Sequence, residues 1–171
     1  KIPFPLFTQL KFDLTGIPIV LSLLIYGLPS GGITSSIAFL GILVRSGDVV
    51  GASMKAIAEF FTVLGMAPFA KRTSKVGKSM SIALGLVSRV VSMTLFDLAV
   101  LPIFYPTAYP TLLAAILFLP MLGAFNIVAG SISIFGGFLI HEVLARRIPS
   151  LVKTKNKPRQ AETDQATPST A

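Results

Sequence analysis

The chain has 171 residues, 53% of them hydrophobic and 13% charged, with a mean hydropathy of +0.78. Soluble domains carry about 25% charged residues, so this composition excludes a soluble globular domain, and its apolarity excludes disorder over most of the chain. The net charge of +8 invites a nucleic-acid reading, but ten of the fifteen basic residues sit in two clusters flanking apolar runs, Lys71 to Lys78 and Arg146 to Arg159. Enrichment of Lys and Arg in cytoplasmic loops explains that distribution without nucleic acid.

The class is therefore an all-α polytopic membrane bundle. A β-barrel would alternate polar and apolar residues in short segments, and these runs are apolar on every face. No cysteine is present, which excludes disulfides and thiolate metal sites. Residues 1–148 are expected to form the bundle and residues 149–171, polar and rich in Lys, Thr, Pro and Gln, a disordered cytoplasmic tail.

In chain order, Leu14 to Val44 is uncharged and broken by Leu28-Pro-Ser-Gly-Gly32. That pattern predicts two short spans, Leu14–Leu28 and Gly31–Val44, tilted or incompletely crossing. Arg45-Ser-Gly-Asp48 reads as a loop, followed by spans over Val49–Ala70 and Met80–Ile103. Tyr105-Pro-Thr-Ala-Tyr-Pro110 suits a membrane interface. A last span covers Thr111–Leu144, with a bend expected at Pro120.

Placing both basic clusters in the cytoplasm puts the Tyr105–Pro110 and Arg45–Asp48 loops outside. Five spans with a cytoplasmic C-terminus leave the N-terminus outside. Lys1-Ile-Pro-Phe-Pro-Leu-Phe7 then reads as the exit of a preceding span, and the intact bundle is expected to have six.

Ionisable residues within a span cost about 2.5–3.5 kcal/mol each on insertion scales, so each needs a reason. Lys55 and Glu59 are spaced i, i+4 and share a helix face. Arg89 is expected to pair with Glu59 between helices, a structural ion pair. Lys55, Asp97 and Asn126 are all expected in the outer halves of their spans. At a common depth they would form a ligand pocket open to the outside, with apolar walls from Phe96, Phe125 and, less directly, Phe104.

Other motifs carry less. Ala129, Ser133 and Gly137 are spaced for close helix approach, which packing within this chain accounts for. His141-Glu142 begins like a zinc-protease helix, but Ala145 occupies the second histidine's place, so no metal site follows. No phosphate-binding loop occurs, and no cofactor is expected.

The order of segments resembles the substrate-binding S components of energy-coupling factor vitamin transporters, especially the riboflavin-type branch. The resemblance rests on Leu10-Lys-Phe-Asp-Leu-Thr-Gly-Ile-Pro18, Gly27-Leu-Pro-Ser-Gly31, the spacing from Gly51 to Arg72, Leu95-Phe-Asp-Leu-Ala-Val-Leu-Pro-Ile-Phe-Tyr105 and Phe125-Asn-Ile-Val-Ala-Gly130. It implies six helices with both ends inside, the missing one being the first. It also implies capture of a vitamin such as riboflavin, and as partners a transmembrane coupling subunit and two ATPase subunits. Riboflavin-type members usually have Asn where Asp97 stands and Lys where Ala129 stands, both pocket positions.

The expected function is thus a non-enzymatic substrate-capture subunit in the cell membrane. A gradient-driven carrier using Glu59, Arg89 or Asp97 as a proton relay is the alternative. A membrane-embedded enzyme is the more distant one.

Overall fold

A computed structural model describes residues 2–4, 7–72, 74–107 and 111–149, with side chains from residue 13 onward. It is a helical bundle preceded by a short hairpin. Strands β1 (Ile2–Phe4) and β2 (Phe7–Phe12) are antiparallel, with Ile2 opposite Phe12 and Pro3 opposite Lys11. Five helices follow: α1 (Gly16–Tyr26), α2 (Leu28–Ser46), α3 (Val49–Met66), α4 (Lys75–Phe104) and α5 (Leu112–Arg147).

The five expected spans correspond to these helices, with shifted ends. Four of the helices are long and apolar enough to cross a bilayer, and α1 is the short one. The molecule is a multi-pass membrane protein. At the start of the chain, residues 2–4 and 7–12 pair as strands, and prolines 3 and 5 in a run of aromatic and β-branched residues disfavour a helix there. Most of the expected C-terminal tail, residues 150–171, lies outside the described residues, as do Tyr109 and Pro110 of the interfacial loop.

Helix boundaries follow local chemistry. Gly27, with φ of +96°, makes the turn between α1 and α2, a conformation few residues other than glycine adopt cheaply, and Pro29 in the first turn of α2 gives up no helical hydrogen bond. Asp48, Ser74 and Thr111 cap α3, α4 and α5, accepting from the amides of Gly51, Gly77 and Ala114 at 2.9, 3.1 and 3.2 Å. Lys75 and Lys78 therefore fall inside α4, because the Ser74 cap starts the helix earlier than hydropathy alone suggests. Helical structure continues through Pro120 in α5.

Each helix packs on its chain neighbour, and α5 closes the ring against α1. The apolar core joins Ile19, Val20 and Leu23 of α1 to Val63 and Met66 of α3 and Ile134 of α5. The expected small-residue stripe of α5 is buried in this chain, with Gly137 against Val20 of α1. At about 1.5 Å per residue α1 spans only about 16 Å, roughly half the hydrocarbon thickness. It begins beside Glu59 and Ser133 and runs alongside α5, with Ile17 against Gly136. Its N-terminus thus lies midway along the bundle, where the charged residues gather.

Candidate functional site

Helical periodicity puts Lys55, Glu59 and Thr62 on one face of α3. Packing sets that face against Arg89 of α4 and Ser133 of α5. Glu59 Oε1 meets Lys55 Nζ at 2.9 Å and Arg89 Nη1 at 3.0 Å, and accepts from Ser133 Oγ at 3.3 Å. Arg89 donates from Nη1 to Thr62 Oγ1 at 3.2 Å and from Nε to Asn126 Oδ1 at 3.3 Å. Asn126 Nδ2 in turn donates to the Leu122 carbonyl at 3.0 Å. At the other end Lys55 Nζ lies 3.3 Å from Asp13 Oδ1, which also accepts from the Thr15 amide at 3.1 Å.

The result is a chain of alternating charge, Asp13, Lys55, Glu59, Arg89, whose formal charges cancel. Neutrality matters because an unpaired ion in the bilayer is costly, whereas paired and hydrogen-bonded ions are tolerated. The chain runs inward: side-chain exposure is 13% and 19% at Asp13 and Lys55, and 1% at Glu59 and Arg89. Burial pushes the Asp13 carboxyl up, but the Lys55 ammonium and the Thr15 amide outweigh it and hold the group below its ordinary value of 3.8.

Glu59 Oε2 has no hydrogen-bond partner among the described residues and faces the first residue of α1. A Cβ at Gly16 would collide with both Ser133 Oγ and Glu59 Oε2. Glycine is what allows α1 to start directly against the ionic chain.

Asp97 lies on the same buried stripe of α4 as Ser81, Gly85 and Arg89, about 12 Å along the axis from Arg89. It is 4% exposed, and among the described residues it has neither a hydrogen bond nor an ion pair. Leu101, one turn further along α4, packs with Leu122 and Phe118 of α5.

Lys55, Asp97 and Asn126 all lie to one side of the Glu59–Arg89 pair: Lys55 about 6 Å along α3 from Glu59, Asp97 about 12 Å along α4 from Arg89, and Asn126 about 10 Å along α5 from Ser133, which bonds Glu59. No hydrogen bond or ion pair joins the three to one another among the described residues. The side-chain amide of Asn126 reaches the buried guanidinium, a stronger partner than any neutral group nearby.

Phe96 points to a different face of α4 from Asp97. Its ring lies 6.3 Å from that of Phe61, and both line a cleft on the outer surface between α3 and α4. Phe125 is half-buried beside Asn126, and Phe104 is exposed. Glu142 pairs with Arg146 at 2.6 Å, and among the described residues no three His, Asp or Glu side chains converge.

Asp13, Thr62, Ser133 and Gly16 belong to the site although sequence reasoning did not select them. Asp13 carried a signal: it stands at the polar-to-apolar boundary before α1, within the Leu10–Pro18 motif. Thr62 follows Glu59 by three residues and so shares its face. Ser133 and Gly16 carried none, since small residues are ordinary in membrane helices. No family model, curated protein or solved structure matches this chain.

Proposed function

We propose that the chain is the substrate-capture subunit of an ATP-driven vitamin uptake transporter, binding riboflavin or a related small organic molecule and delivering it to a coupling subunit with two ATPases. In this reading it resides in the cell membrane with its C-terminus in the cytoplasm, so that the end bearing Tyr105 faces outward. The ligand enters from that end and is bounded inward by the ionic chain of Lys55, Glu59 and Arg89.

The observation that carries the reading is Asp97. An acidic residue 4% exposed within a span, with no hydrogen bond or ion pair among the described residues, is costly, and a ligand bearing N–H or O–H donors relieves that cost. A flavin has both, on its ring and on its ribityl chain. The ionic chain beneath is already satisfied apart from one oxygen of Glu59, so it serves as a rigid polar floor. The resemblance to the riboflavin-type branch supports the same assignment, because it places the residue at position 97 in the vitamin pocket.

Mass spectrometry of small molecules released from the purified full-length protein tests the proposal, paired with titration of flavin fluorescence. A retained flavin, lost with Asp97→Ala, supports it. Retention of a different vitamin keeps the capture role and changes the ligand. Uptake into proteoliposomes driven by a proton gradient, with no ATPase present, would overturn it in favour of a carrier.

A further inference from the structure

The cleft between α3 and α4 is not absorbed by the functional reading. Its volume is about 520 Å³, within the ~300–1,000 Å³ range of ligand sites. Its floor is made of small residues, because Gly65 of α3 lies against the Leu84 carbonyl and Ser88 of α4 and brings the two helices together. Its walls are Leu64, Val87, Val91 and Leu95, which are 39%, 57%, 55% and 64% exposed. Phe61 and Phe96 line its far end. From Leu84 to Phe96 the cleft extends about 18 Å along α4, close to one leaflet's share, about 15 Å, of the hydrocarbon core.

A second feature lies beyond the other end of the cleft, past Pro68. Lys71, Arg72, Lys75 and Lys78 are exposed there, and no carboxylate pairs with any of them among the described residues. No acidic residue occurs in the sequence between Glu59 and Asp97. The Arg72 guanidinium lies over the Phe69 ring at 5.1 Å and its stem rests against Gly77, in the first turn of α4. The positive end of that helix adds to the four side-chain charges.

We propose that the cleft and this basic turn form a binding site for one anionic phospholipid, with an acyl chain along the cleft and the phosphate-bearing headgroup against Lys71, Arg72, Lys75 and Lys78. Charge complementarity selects the headgroup, and the apolar walls and leaflet-matched length select the chain. Long basic side chains bridge the interval between cleft and headgroup by extending along the interface. The small floor lets a flexible chain seat against backbone, which a bulkier helix surface would prevent.

The full chain is reconstituted in nanodiscs of phosphatidylcholine with a minority of phosphatidylglycerol, and lipids retained after release are counted by native mass spectrometry. The protein should retain phosphatidylglycerol in preference to phosphatidylcholine by about tenfold, consistent with attraction by several basic groups near the surface. The double variant Lys71→Gln with Arg72→Gln should lose most of that preference. Val91→Trp, which fills the cleft from an exposed position, should reduce retention of both lipids, and Val87→Trp serves the same purpose if the first variant aggregates. Arg146→Gln with Arg147→Gln, in the other basic cluster, should leave the preference intact, and inorganic phosphate should not displace the lipid. An unchanged preference in the Lys71 and Arg72 variant, an equal loss in the Arg146 and Arg147 variant, or full retention with both tryptophans would overturn the proposal. Displacement by phosphate, or a dimer in place of the lipid adduct, would overturn it as well.

Discussion

Arg89 and Glu59 meet at 3.0 Å in the middle of the bundle, each side chain 1% exposed. They join α4 to α3, and through Asn126 and Ser133 both are tied to α5. Three helices are therefore joined by a polar cluster with almost no access to water.

The first prediction concerns that pair. Removing one partner of a buried ion pair leaves the other uncompensated, at about 3–5 kcal/mol. Glu59→Ala should lower the thermal stability of the purified protein and its folded yield more than it lowers ligand affinity per folded molecule. The double change Glu59→Leu with Arg89→Met should recover much of the loss, because no buried charge is then stranded between those helices. Thermal unfolding monitored by size-exclusion chromatography reads both. Normal stability with lost binding would move Glu59 into the ligand site.

Asp97 should behave oppositely. It contributes no hydrogen bond or ion pair to the fold among the described residues, so Asp97→Ala should leave ligand-free stability unchanged or raise it. Affinity for the ligand should fall about tenfold or more, since a dry site loses roughly 1–3 kcal/mol, or more for a charged group, with a missing polar partner. Asp97→Asn should retain part of the affinity. Comparing the ligand-induced rise in melting temperature across the three proteins separates these outcomes, and an equal rise in all three would remove Asp97 from the site.

Acid should act on the outer end of the ionic chain. The Asp13 carboxyl is held below 3.8 in the folded protein. A depressed carboxylate contributes stability that is fully present above the unfolded value and is lost as the pH falls through the folded one. Asp13→Asn should therefore destabilise the protein at neutral pH, by about 1.5–3 kcal/mol for lost charged hydrogen bonds. The gap to the unmodified protein should close below about pH 4, near the unperturbed Asp value. Melting temperatures of the two proteins across that range provide the check, and a gap independent of pH would contradict it.

Orientation is tested by labelling. A cysteine at Thr107, between α4 and α5, should react with an impermeant reagent in intact cells, whereas one at Lys71 should react only after the membrane is opened. The reverse pattern would invert the bundle and place Asp97 toward the cytoplasm.

The hydropathy and charge runs determine the helix count and the approximate ends, because burial in a bilayer is a property of consecutive residues. The i, i+4 spacing of Lys55 and Glu59 was also legible, since helical periodicity is local. What the tertiary structure decided is how far each helix slides and turns against its neighbours. That set Asn126 against the Arg89 side chain, turned Phe96 toward Phe61 on the outer surface, and brought Asp13 to Lys55. It also made Gly16 the point where α1 begins beside Glu59. Depth and rotation depend on side-chain volumes from several helices at once, so hydropathy along one strand of sequence does not encode them.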